Sequence, residues 1–157
     1  MTVSVWRIAV EAPGYTASDL SGTGARITGG RWNSQGVPVV YCASSIALAT
    51  LETVHYVRSG GLPFNRFLVR IDIPEAVWQA RRVLDPLPGG WDAIPAGLAA
   101  RRAGDAWLAS GASALLLVPS VIVPDECNVL INPGHGDAGA MVATTLKRWT
   151  YDPRFFP

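Results

Sequence analysis

The stretch GGRWNSQGVPVVYCASSIALATLETVH, Gly29 to His55, decides how this chain folds. It opens on a glycine-flanked loop. The β-branched run Val37 to Cys42 follows and reads as a short buried strand. Ser44 or Ser45 then offers a hydroxyl to cap a helix, and Leu48, Leu51 and Val54 or His55 recur at the three-to-four spacing of a buried helical stripe. The helix is expected to reach about Arg58 and to stop before Gly60-Gly61. One strand-to-helix turn thus brings three reactive groups toward one spot: Arg31 in the loop, Tyr41 in the strand and Glu52 beside the apolar stripe. A guanidinium suits a phosphate, an aromatic ring a flat base, and a lone carboxylate a sugar that is becoming a cation.

Outward from this stretch the elements are short. Val3 to Ile8 alternates as a first strand, with Val3, Val5 and Arg7 on one face and Ser4, Trp6 and Ile8 on the other. Gly14 to Gly36 is rich in Gly, Ser, Thr and Asp and reads as a long loop, a length usually tied to function or disorder. Phe67 to Ile73 alternates again. Four prolines and Gly89-Gly90 make Pro74 to Pro95 loop with at most short helical turns. A helix is expected over Ala96 to Ser110, with a break at Gly104. Strands are expected at Ala114 to Val118, Val121 to Val123, Cys127 to Ile131, and in the tail from Met141 to Tyr151. Many short strands, few helices and no regular βαβ alternation indicate an α+β fold.

The chain has 157 residues, enough for a single domain over 1–157 that buries roughly 70% of its unfolded surface. It is 49% hydrophobic and 16% charged, more apolar than an average soluble chain, and a partner interface or homodimer is expected to take up part of that surface. A net charge of +1 gives no basis for direct nucleic-acid binding. Arg81-Arg82 and Arg101-Arg102 read as solvated faces. No apolar run is long enough to span a membrane and no signal peptide is evident. Cys42 and Cys127 read as reduced, structural thiols, so a cytoplasmic location is expected.

Several chemistries are poorly supported. Gly22 and Gly24 lack the third glycine of a dinucleotide fingerprint, where Ile27 stands. His55 and His135 have no companion ligands at metal-binding spacing, so no metal is expected. Ser120 follows Val118-Pro119 outside any nucleophile elbow. Glu52 is the informative anomaly, because no lysine or arginine lies three or four positions away to pair with a carboxylate at the core's border.

Six ordered blocks strongly resemble RES-domain proteins, the toxins of RES-Xre toxin-antitoxin modules. They are Gly29-Gly30-Arg31-Trp32-Asn33, Val40-Tyr41, Leu51-Glu52-Thr53, Gly104-Asp105-Ala106-Trp107-Leu108, Val118-Pro119-Ser120, and Asn128-Val129-Leu130-Ile131-Asn132-Pro133 with His135. The arginine, glutamate and serine of the family name map onto Arg31, Glu52 and Ser120. Gly136 stands where the family often has proline. The resemblance implies a fold similar to ADP-ribosyltransferases, with NAD⁺ as substrate and no resident cofactor. It also implies an activity that depletes cellular NAD⁺ and an Xre-type helix-turn-helix antitoxin that blocks the site.

On that resemblance Glu52, Arg31 and Tyr41 are the expected catalytic residues. Arg31 would hold the diphosphate or the ribose, Tyr41 would wall the nicotinamide, and Ser120 would bind a ribose hydroxyl or orient Glu52. Asn128 and Asn132 are further substrate-binding candidates. Water or phosphate is the expected acceptor of ADP-ribose. Transfer to a protein is the alternative, and a non-enzymatic nucleotide- or partner-binding module the reading from another class.

Overall fold

A computed structural model describes residues 1–57 and 64–156. Among them seven strands form one mixed sheet in the order β4-β5-β6-β2-β1-β3-β7. The strands are β1 (Thr2–Val10), β2 (Val40–Ala43), β3 (Arg66–Pro74), β4 (Arg82–Val83), β5 (Leu115–Pro119), β6 (Cys127–Ile131) and β7 (Val142–Arg148). Between them run the helices α1 (Thr23–Thr28), α2 (Ile46–Val54), α3 (Glu75–Gln79) and α4 (Leu98–Ser110). All strand pairs are antiparallel except the two-residue β4 against β5. The α+β expectation holds.

Alternation along the strands covers both faces of the sheet. One face carries Val5, Ala9, Val40, Cys42, Val69, Ile71, Leu115, Val129 and Ile131, packed with Val77 of α3. On the other face α2 sets Leu48 and Ala49 over Ile8, Ala43 and Leu68, and α4 sets Ala100 and Trp107 over Leu116, Val118 and Leu130. Side chains of Tyr41 and Ala43, two residues apart on β2, therefore lie between the two helices. β1 and β2 meet at the single register pair Trp6↔Ala43, and α2 begins just beyond that junction.

The structure corrects four sequence expectations. Gly104 does not break its helix: α4 is continuous, and a Cβ at Gly104 would stand 1.8 Å from the Trp32 carbonyl oxygen. Glycine is there to let helix and loop touch. Val121 to Val123 is not a strand, because the Ser120 hydroxyl accepts the N–H groups of Ile122 and Val123 and holds that segment in a turn. α2 ends at Val54 rather than continuing to Arg58, a residue outside the described range, and its buried stripe is Leu48 and Ala49 while His55 is exposed. The 14–36 loop contains the six-residue α1. As expected, Ser45 caps α2, accepting the Leu48 N–H at 3.1 Å.

Candidate active site

Two neighbouring structures make up the site. The first is a carboxylate held by three elements. Glu52 projects from α2, whose orientation is pinned by the Ser45 cap and by a 2.8 Å hydrogen bond between the hydroxyls of Thr53 and Tyr151. The register places Ala43 opposite Asn128, and Asn128 opposite Val118, so the ends of β2, β5 and β6 converge beneath the helix. From there the Ser120 hydroxyl donates to Glu52 Oε1 at 2.5 Å and the Asn128 amide donates to the same oxygen at 2.9 Å. Two neutral donors thus replace the missing cation, and the second carboxylate oxygen has no such partner among the described residues. Asn128 Oδ1 is buried and likewise unpartnered.

Ser120 has no exposed surface. Its hydroxyl receives two backbone N–H groups and gives its proton to Glu52. Of the two roles expected for it, orientation of Glu52 is the one its contacts make. Asn132 does not join this cluster. It lies four residues along from Asn128, about 13 Å at strand spacing, where its amide donates to the Leu108 carbonyl and accepts the Gly134 N–H. It ties the end of β6 to α4.

The second structure is the loop that carries Arg31. Asn33 is fully buried, and its amide donates to the carbonyls of Ala25 and Val37 at 2.9 Å each. The Tyr41 hydroxyl donates to Asn33 Oδ1 at 2.6 Å and accepts the Trp32 N–H at 3.0 Å. Asp105 of α4 receives the Ser34 N–H at 2.9 Å and the Ser34 hydroxyl at 2.5 Å. A Cβ at Gly30 would lie 2.7 Å from the Tyr41 hydroxyl oxygen, so glycine is required where the loop crosses the phenol. Burial pushes the Tyr41 phenol above its ordinary range, only partly offset by the Trp32 N–H. Tyr41 is therefore a neutral brace: its hydroxyl is taken up by the loop, its ring packs against the Trp32 cluster, and it is not among the residues lining the cavity beside Arg31.

Arg31 Nη1 donates to the carbonyls of Trp91 and Ala93 at 2.9 and 2.8 Å. This anchors the guanidinium while Nε and Nη2 keep their donors. Beside it lies a cavity of about 620 Å³ lined by residues of the 28–35 loop, by Tyr56, by Pro95-Ala96 and by Arg101. That volume suits a small-molecule site. Among the described residues its lining holds two guanidinium groups, Arg31 and Arg101, and no carboxylate. Glu52 does not line the cavity; it sits four residues before Tyr56, which does. Arg101, expected as part of a solvated face, is half-buried at this wall, whereas Arg102 is exposed. Sequence reasoning also assigned no role to Asn33 and Asp105, although both lie within quoted family blocks.

The family model described as the RES domain matches residues 4–153. The chain belongs to the RES-domain family. A "Prs ADP-ribosylating toxin" from Sphingobium sp. (strain YBL2) is 57% identical over 98% of this chain and 97% of its own length. A "Toxin Res" from Photorhabdus laumondii is 41% identical over 85% of each chain. This RES-domain protein also shares its fold with a chain in the crystal structure of the M. tuberculosis MbcT-MbcA toxin-antitoxin complex. That match has a TM-score of 0.63 and 17% identity, covering 98% of this chain and 86% of the other. Cys42, buried on the sheet's opposite face, has its thiol pushed up to about 12 by desolvation and has no place in the site. Among the described residues no helix is long and apolar enough to cross a membrane.

Proposed function

We propose that this protein is the toxin of a toxin-antitoxin pair and that it splits the nicotinamide-ribose bond of NAD⁺. The observation that supports this reading is a fixed carboxylate, Glu52, with no cation partner among the described residues, four residues before Tyr56 on the wall of a cavity whose described lining holds two guanidinium groups and no acid. The pyridinium nitrogen of NAD⁺ is already positive, so nicotinamide leaves neutral with the bonding electron pair and needs no general acid. Positive charge then builds on the ribose, where the Glu52 anion stabilises the transition state more than the ground state. Ser120 and Asn128 hold that anion without neutralising it. In this arrangement the nicotinamide ribose lies at Glu52 and the diphosphate reaches the Arg31 cavity. An acceptor then bonds to C1′ and releases its proton to solvent.

Water or phosphate as acceptor would deplete NAD⁺. The Sphingobium relative, 57% identical and named for ADP-ribosylation of Prs, favours a protein side chain instead, and we take protein modification as the preferred acceptor reading. The antitoxin we propose is an Xre-type helix-turn-helix protein, with a second copy of the toxin in the assembly. Exposed apolar residues at the cavity's edge, Ile27 beside Thr28 and Ile94 beside Pro95, support a covering partner.

The test is incubation of purified, antitoxin-free protein with adenylate-labelled NAD⁺, in buffer, with added phosphate, and with cell extract. Nicotinamide release with label on one extract protein supports transfer. Release in buffer or with phosphate alone supports depletion. Intact NAD⁺ in all arms would overturn the enzymatic reading in favour of a binding module.

A further inference from the structure

We infer that Arg101 is a second diphosphate-binding residue, one that determines whether this site takes a dinucleotide or a mononucleotide. The inference rests on the NAD⁺ reading above for its substrate, and on the cavity for everything else. Arg31 spends Nη1 on two backbone carbonyls, leaving one fork of donors, which grips one phosphate group well. A dinucleotide's diphosphate carries two negative charges. Among the described residues the cavity lining supplies two positive ones, from Arg31 and Arg101, and no negative side chain, which makes Arg101 the partner for the second charge.

The obvious competitor for Arg101 is the carboxylate one helical turn on, Asp105. That carboxylate is turned away to the Ser34 N–H and hydroxyl, with one oxygen for each. None of the ion pairs among the described residues includes Arg101. Its position is fixed by α4, which packs Gly104 against the Trp32 carbonyl and buries Ala100 and Trp107. The helix that braces the Arg31 loop thus also presents the second cation, and both guanidinium groups are referenced to one rigid unit.

Steady-state nicotinamide release should show that Arg101→Ala raises KM for NAD⁺ roughly tenfold or more, the scale of one lost charge-assisted hydrogen bond, with kcat changed less than about threefold. Arg101→Lys should restore part of the loss. For nicotinamide mononucleotide, which has a single phosphate, the KM effect should be no more than about twofold. Arg102→Ala, which removes the same charge from the exposed neighbour, should leave KM for NAD⁺ unchanged. Calorimetric binding of ADP-ribose to wild type and Arg101→Ala separates this inference from the enzymatic reading. Weakened ADP-ribose binding in the variant sustains it even if wild type releases no nicotinamide. Equal binding by both proteins, equal KM values, or a loss confined to kcat would overturn it.

Discussion

The Arg31 loop and the Glu52 cluster solve opposite problems within one site. In the loop nearly every polar group has a partner: Asn33 bonds to Ala25, Val37 and Tyr41, Ser34 to Asp105, and Trp32 to Tyr41. Around Glu52 the bonding among the described residues is left incomplete, with a single carboxylate oxygen satisfied and a buried amide oxygen of Asn128 unpartnered. A saturated network gives a rigid cradle. An unsaturated one leaves a negative field for a ligand to meet, and its buried Asn128 oxygen costs about 1–3 kcal/mol in stability. The contrast teaches that, on the function proposed here, binding geometry and chemical reactivity would be carried by separate polar networks on one face of the sheet.

Breaking the reactive side should have the largest effect. Glu52→Gln keeps the shape and removes the charge, so nicotinamide release is expected to fall by about 10²- to 10³-fold, with the melting temperature unchanged. A variant of near wild-type activity would remove Glu52 from the mechanism. Breaking the cradle comes next. Gly104→Ala drives a methyl into the Trp32 carbonyl and should cost ~3 kcal/mol, lowering the melting temperature by roughly 6–12 °C and weakening ADP-ribose binding with it. Unaltered melting would show that α4 and the loop are not in contact.

A smaller change sharpens the comparison. Asn132→Ala removes the tie between β6 and α4 and is expected to cost about 1–2 kcal/mol in denaturant unfolding while kcat stays within about twofold; a selective loss of kcat would return Asn132 to the site. The last effect lies outside both networks and is confined to alkaline pH. The Cys42 thiol is held protonated in the folded state up to about 12, against an ordinary 9.0. The unfolded chain therefore gives up that proton first, and stability present below pH 9 is lost as pH rises toward 12, with a slope of up to about 1.4 kcal/mol per pH unit. Cys42→Ala should flatten that slope in unfolding titrations above pH 9, and an unchanged slope would assign the loss to other groups.

Much of the fold was legible because it rests on local patterns. The alternation of β1 and β3 and the Ser45 cap are short-range signals, and those elements formed where they stand, whereas the strand expected over Val37 to Cys42 forms only from Val40 and runs on to Ala43. The misreadings came where a distant contact overrode local preference. Gly104 looks like a helix breaker until the Trp32 carbonyl is set against it. Val121 to Val123 looks like a strand until Ser120 captures its N–H groups. Arg101 reads as one of two solvated arginines, and only the packing of α4 separates it from Arg102.

The sequence by itself determined the family, the α+β class and the identity of Arg31, Tyr41, Glu52, Ser120 and Asn128 as the residues to watch, because motif order and side-chain periodicity are properties of the chain. Tertiary structure alone decided what each does: Ser120 and Asn128 converge on one oxygen of Glu52, Tyr41 braces a loop, Asn132 ties β6 to α4, and Arg101 joins the cavity wall. Those assignments depend on strand register and helix packing between residues up to 76 positions apart, and such contacts follow from how the whole core closes rather than from any local stretch of residues.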